Sequence, residues 1–533
     1  MTSNPDPPSS PFARPGLGWI APGLALGWIV LIRVPLILNA PGHLDSDLAV
    51  DGLTLIDALQ GHWRWHYPAT PFIGSPPVLL SSLQAKVWGP TPGALVSGGV
   101  VAYGLVVVAA YLLSRRAFGP SAARWGLVPL AFASTGVVWL SGRVTGGHLL
   151  AACWHAGAFL LLWEALSRGG WRRSAALGFW AGFGLYVDSM VGVTWAGLGV
   201  AAVAFAGLAK GDDRPRTGRV AACLLAFAVA GGVGLAPRLV GKWADPHDAY
   251  VGQFEPIARP DHLARNARIL LLDCLPRLAA GHRLPGLQAE PEIAGANPPK
   301  GVPWLALAAT VAGIGSLGWS LWALARGPVG EGDPARLAIR LGLLASGLAV
   351  VAGFLVYPSI ANSDHYRYLV TLLVPWSSGF GLAMAGLAAR RRVAAWALMI
   401  GLAVLMTADT RAWYGRLGWV DPAGRPVRKA GGDLAVAWLD AHPEVSTVLG
   451  DYWDVYRLAF LTGGRVRAVP FPMYPDRFPE AGRALPGSAH PVVIVRPGPF
   501  GPIYRGRALA AGGRELLREP GLSIVEWPGG MTP

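Results

Sequence analysis

The chain has 533 residues, of which 53% are hydrophobic and 14% charged, against about 25% charged in ordinary soluble domains. With a mean hydropathy of +0.40, this excludes a soluble enzyme and a disordered chain and fits a polytopic membrane protein. The formal charge of +14 does not mark a nucleic-acid binder, because Lys and Arg fall in short clusters between apolar stretches.

In chain order, residues 1–16 contain five prolines and few apolar residues, which predicts a disordered leader. Eleven apolar stretches follow, at 17–38, 93–113, 125–141, 148–166, 175–188, 190–208, 220–239, 303–325, 341–360, 368–388 and 393–408; each approaches the length of about 20 residues that a span needs. The fifth and sixth are separated only by Tyr186-Val187-Asp188-Ser189, which reads as a bent hairpin. Gly23-x-x-x-Gly27 in the first stretch predicts close helix packing. Arginine clusters around 115–124, 168–173, 214–219, 326–340 and 390–392 occupy alternate loops. Retention of positive charge on the cytoplasmic side then places the amino terminus inside. Outside lie two long loops, 39–92 and 241–302, two short ones around Arg143 and 361–367, and the tail from 409 onward. Trp19, Trp63, Trp88, Trp139 and Trp304 fall near span ends, as an interfacial belt requires. Cys153, Cys223 and Cys274 lack metal-ligand spacing, so neither a zinc site nor a disulfide framework is indicated.

The tail, 409–533, alternates helical stretches at 430–441, 452–462 and 506–518 with β-rich runs at 446–449, 466–469, 492–495 and 523–527, the pattern of a small α/β domain with a largely parallel sheet. The expected fold is therefore a polytopic α-helical membrane protein of about 11 transmembrane helices, 17–408, with a small C-terminal α/β extracytoplasmic domain. Its location is the cytoplasmic membrane.

No Walker loop, dinucleotide-binding glycine fingerprint or His-Glu-x-x-His motif occurs in the sequence, which turns attention away from nucleotide-driven transport and metalloproteolysis. The informative segment is the first outer loop. Asp45, Asp47, Asp51 and Asp57 face only Arg64 and Lys86 there. Either this is a solvated acidic loop, or Asp45 and Asp47, two apart, supply a catalytic base or share a cation; spacing leaves both open.

After Asp47 come Gly61-His62-Trp63, Tyr67-Pro68 and Gly74-Ser75-Pro76-Pro77. This order resembles the first outer loop of the polytopic glycosyltransferases of superfamily C, in the bacterial branch of protein O-mannosyltransferases, aminoarabinose transferases and lipopolysaccharide-core galacturonosyltransferases. Asp364-His365-Tyr366-Arg367-Tyr368, leading to Pro375, is similar to the Arg-Tyr segment opening a late span in those families. Asp451-Tyr452-Trp453-Asp454-Val455-Tyr456-Arg457-Leu458 resembles a tail motif of bacterial relatives. One departure stands out: Leu48 occupies the place where the family usually has Glu.

The resemblance implies transfer of a sugar from a polyprenyl-phosphate donor, at the outer face, to a glycan, lipid or protein acceptor, with inversion. Asp47 is expected as the base and Asp45 as an auxiliary or metal-binding carboxylate, so that a divalent cation would be the one cofactor. Arg367, Arg143 and Lys242 are the candidates for the donor phosphate, although Arg367 could instead snorkel to headgroups. His148, Tyr67 and Asp188 are candidate substrate-binding residues; an interface histidine and a turn residue are the plainer readings of His148 and Asp188. Membrane lipids are the other expected partner. The competing functions are a lipid-linked saccharide transporter or flippase, and a non-catalytic scaffold, which the absent Glu at Leu48 would suit.

Overall fold

The computed structural model describes residues 17–209, 217–244, 260–283, 288–289, 304–326, 333–429, 432–472 and 476–528. The predicted leader 1–16 and much of the predicted loop 241–302 lie outside them.

Among the described residues, nine helices are long and apolar enough to cross a membrane: Ile20–Leu38, Pro92–Ala117, Leu149–Arg168, Val191–Leu208, Thr217–Ala244, Trp304–Arg326, Pro334–Val356, Ser363–Arg390 and Arg392–Leu417. The predicted fifth span is a 17-residue helix, Trp171–Val187, packed along Thr217–Ala244. Glycine makes that contact possible: a Cβ on Gly182 would stand 2.0 Å from the Gly231 carbonyl oxygen, and one on Gly178 would stand 2.1 Å from that of Phe227. Small residues let two backbones touch where lipid offers no hydrophobic drive to associate. Gly23 and Gly27 do not behave this way. A Cβ on either meets nothing within 4 Å, so the close packing expected of this pair does not occur among the described residues.

The third predicted span, 125–141, is not one helix. It breaks into Pro120–Gly126, Val128–Ala131 and Thr135–Leu140. Phe132 leaves the helical region, and the Ser134 hydroxyl then caps the next turn by accepting from the Val137 N–H at 3.1 Å. The segment is buried within the bundle, where protein groups satisfy the interrupted backbone that lipid could not.

The last span runs on to Leu417, and the α/β domain follows it. Its five strands lie in the order Arg467–Pro470, Thr447–Gly450, Val492–Val495, Leu522–Glu526, Glu515–Glu519. The first three are parallel and the last two antiparallel, so the sheet is mixed. The expected helix 506–518 is in fact Gly501–Ala510 followed by the edge strand Glu515–Glu519. Gly521, at φ 79°, closes the tight hairpin that returns to Leu522–Glu526, a conformation open to glycine at little cost.

This domain packs on the first loop. The helix Tyr452–Leu461 lies across the loop helix Ser46–Leu59. A Cβ on Gly52 would stand 2.4 Å from the Phe460 ring.

Candidate active site

The loop helix Ser46–Leu59 starts where Asp45, in extended conformation, accepts a hydrogen bond from the Leu48 N–H at 2.9 Å, a side-chain cap of the usual kind. The cap puts Asp47 in the first turn. Asp51 follows four residues later on the same helix face.

Each of the three carboxylates has a different environment. Asp45 Oδ2 is ion-paired with Arg143, whose guanidinium lies 4.8 Å from the centre of the Trp139 ring. Asp47 Oδ1 accepts from the Tyr452 hydroxyl at 3.0 Å and lies 3.6 Å from Arg477 Nη2. Its Oδ2 has no partner among the described residues, and the side chain stays 23% exposed. The Tyr67 hydroxyl donates to the Asp47 carbonyl at 2.8 Å, fixing the turn from the hairpin of His66–Tyr67 and Thr70–Gly74. Asp51 is buried; its Oδ2 accepts from the Thr145 N–H at 3.2 Å and its Oδ1 has no partner. Burial pushes the Asp51 carboxyl up to about 7, against the bonds from Thr145 and with help from the Asp47 charge. Burial likewise raises Tyr67, assisted by Asp51 and Asp47, which keeps its hydroxyl a donor.

Arg367 stands on the other side, in the 3-10 stretch Ser363–Leu372. It is half-buried, its guanidinium is 5.6 Å from the Tyr368 ring centre, and its Nε is buried without a partner. The neighbouring Asp364 carboxylate forms its ion pair with Arg277 at 2.8 Å and not with Arg367. Among the described residues Arg367 therefore has no ion pair. Asp47 is within its electrostatic reach, and a Cβ on Gly146 would stand 4.0 Å from its Nη1.

His148 and Asp188, expected as separate substrate contacts, are each other's partner: His148 Nδ1 and Asp188 Oδ2 are 2.7 Å apart and buried. His148 takes a left-handed φ of 49° and meets Tyr368 edge-on at 5.4 Å, so the pair borders the Arg367 segment. Asp188 also bridges to Ile73 of the first-loop hairpin. Lys242 is not drawn in: it is exposed in the last turn of Thr217–Ala244, with no hydrogen bond or ion pair among the described residues.

Asp45, Asp47, Tyr67, Arg143 and Arg367 thus come together from three separate parts of the chain. Arg143, expected on the phosphate, is committed to Asp45. No group of three or more His, Cys, Asp or Glu side chains gathers for a metal among the described residues. Asp45 and Asp47, expected to share a cation, each meet an arginine instead. The donor set does not fit a bound divalent ion, and no step below uses one.

Two site residues escaped the sequence reading. Tyr452 lies in a motif singled out above, but its direction was not apparent. Arg477 sits in Tyr474-Pro475-Asp476-Arg477-Phe478-Pro479, where aromatic and proline residues around a single Asp-Arg pair were the available signal.

No protein-family model and no curated protein matches the sequence. Solved structures do. ArnT from Cupriavidus metallidurans in the apo state is similar over 96% of this chain and 99% of its own, at 11% identity and TM-score 0.58. ArnT bound to undecaprenyl phosphate gives 97% and 99%, 12% identity and TM-score 0.59. The apo Archaeoglobus fulgidus oligosaccharyltransferase gives 92% of this chain and 70% of its own, 14% identity and TM-score 0.50. At such identities the likeness concerns the backbone alone: the chain has an ArnT-like fold, from its first span to its C-terminal sheet.

Proposed function

We propose that the protein is a membrane glycosyltransferase that moves a sugar from a polyprenyl-phosphate donor to a hydroxyl-bearing acceptor at the outer face of the cytoplasmic membrane. One observation carries this reading: Arg367, which has no ion pair among the described residues, lies within electrostatic reach of Asp47, whose Oδ2 has no partner among them. A cation without an ion pair among the described residues suits an anion brought by a ligand, and the planar guanidinium can donate two hydrogen bonds to a phosphate. The undecaprenyl phosphate bound to ArnT supports a lipid phosphate as that anion.

In the proposed reaction Asp47 Oδ2 takes the acceptor hydroxyl proton as its oxygen bonds to the anomeric carbon. The bond from that carbon to the phosphate oxygen breaks, and the electron pair leaves with the polyprenyl phosphate. Arg367 stabilises the charge that develops there. A single displacement inverts the anomeric centre. Tyr67 and the Asp45–Arg143 pair hold the turn that carries the base, and the buried His148–Asp188 pair supports Tyr368 and so the Arg367 segment.

The test compares polyprenyl-phosphate sugars and surface glycans by mass spectrometry in cells lacking the protein, complemented with wild type, Asp47→Asn or Arg367→Gln at equal expression. Both variants should fail to restore the missing sugar and should accumulate its lipid-linked donor. Arg367→Gln should also weaken binding of undecaprenyl phosphate by about ten- to a hundredfold, as loss of a charge-assisted contact implies. Normal transfer by Asp47→Asn would refute the mechanism and bring a transport or scaffold role forward.

A further inference from the structure

The C-terminal domain reaches into the site by one helix and one loop, and does so with directed bonds. Tyr452, the first residue of the helix Tyr452–Leu461, donates its hydroxyl to Asp47 Oδ1 at 3.0 Å. The same hydroxyl accepts from Arg477 Nε at 2.9 Å. Arg477 is itself fixed: its Nη1 donates to the Pro68 carbonyl at 3.1 Å and to the Thr70 hydroxyl, and its guanidinium stands 5.8 Å from the ring centres of both Tyr67 and Tyr452. The Asp476 carboxylate and the Arg477 N–H both bond the Tyr456 hydroxyl at 2.7 Å, which ties this loop to the helix. Ser46, beside the base, donates to the Tyr452 carbonyl.

An acceptor already filled from Arg477 leaves the Tyr452 hydroxyl one proton to give, and that proton is aimed at Asp47. Burial, then the Asp47 charge, raise the Tyr452 hydroxyl above its ordinary value, so it stays protonated as a donor. The consequence for the carboxylate is geometric. Oδ1 is occupied, the carboxylate cannot rotate without losing a bond, and Oδ2 alone is presented for proton transfer.

We propose that Tyr452 and Arg477 are positioning residues for Asp47, so that the docked C-terminal domain is a working part of the active site. The proposal rests on Asp47 being the base. A hydrogen bond to the charged form of a carboxylate also stabilises that form. The groups that surround Asp47 are Asp45 and Asp51 on its own helix, Tyr67 on the hairpin, Arg143 in the turn before Leu149–Arg168, Arg367 in Ser363–Leu372, and Tyr452 and Arg477 on the C-terminal domain. Only Tyr452 among them hydrogen-bonds its carboxylate.

The test is infrared spectroscopy of the purified full-length protein, in which the carboxylate stretching bands absent from Asp47→Asn identify Asp47. Tyr452→Phe should shift those bands, as loss of a hydrogen bond to a carboxylate does. Fluorotyrosine at position 452, a stronger donor of unchanged shape, should shift them the opposite way. The second variant decides the matter even where the first disturbs folding. In complemented cells Tyr452→Phe should lower transfer by about ten- to a hundredfold, the cost expected when a reacting group loses its orientation, while binding of undecaprenyl phosphate to the purified variant stays at the wild-type level. Bands that move in neither variant overturn the positioning role. Normal transfer by Asp47→Asn would overturn the base on which it rests, and the infrared result would still report separately on the hydrogen bond.

Discussion

Asp51 concentrates the site's cost at the scale of one residue. Its carboxyl is pushed up to about 7 by burial, from an ordinary 3.8, so the folded protein binds that proton more tightly than the unfolded chain does. Stability from this group is therefore greatest at low pH and falls as the pH rises from about 4 to about 7, by on the order of 4 kcal/mol. Asp51→Asn should remove the slope: the thermal midpoint in detergent should decline across that window for wild type and stay flat for the variant. Asp47 and Arg367 were legible as candidates from the sequence, through the order of residues in the first loop and in the Arg-Tyr segment. Their neighbours were less legible. The sequence contains nothing that commits Arg143 to Asp45, 98 residues away, or pairs His148 with Asp188, 40 residues on. Residue type announces a capacity for charge, whereas partnership depends on the fold that brings the groups together.

At the scale of elements, the contact between the loop helix Ser46–Leu59 and the helix Tyr452–Leu461 depends on the missing side chain of Gly52. A methyl there would overlap the buried Phe460 ring, and a ring in a packed core yields only at a cost of about 1–3 kcal/mol. Gly52→Ala should loosen the C-terminal domain, read as faster proteolytic release of that domain, with the membrane helices left intact. Unchanged release kinetics would mean that the ring finds room. The span 125–141 illustrates the limit of apolar length as a signal. A segment surrounded by protein is as apolar as one surrounded by lipid, and hydropathy does not distinguish the two. Gly126 and Pro129 were present as hints of a break. The edge strand Glu515–Glu519 was obscured similarly, since Arg514-Glu515-Leu516-Leu517-Arg518 suits a helix locally and only pairing with Leu522–Glu526 makes it a strand.

For the whole molecule, the C-terminal domain must keep its own shape while it braces the first loop. Asp433 caps the helix Leu434–Ala441 and, with Asp454, is held between Arg457 and Arg496. Burial works against the Asp433 charge, but Arg457 and Arg496 outweigh it and bring its carboxyl down to about 2. Stability from this group is present above about 4 and lost as the pH falls toward 2, worth about 2 kcal/mol. Asp433→Asn should accordingly lower the unfolding temperature of this domain at neutral pH and have little effect near pH 2, as calorimetry would record. The general architecture, a helical membrane body followed by a small α/β domain, was legible from hydropathy and alternation. The mutual burial of the two parts was not, because their contact joins segments about 400 residues apart.

That separation has a consequence for how the protein is made. The carboxylate at position 47 emerges early in translation, and the hydroxyl that orients it emerges 405 residues later. A partly synthesised chain already inserted in the membrane carries the Asp47 carboxylate without the Tyr452 hydroxyl that bonds it. The chain's own completion thus acts as a timer: under the proposed mechanism, a polypeptide broken off before its last domain would occupy the bilayer as a poor catalyst.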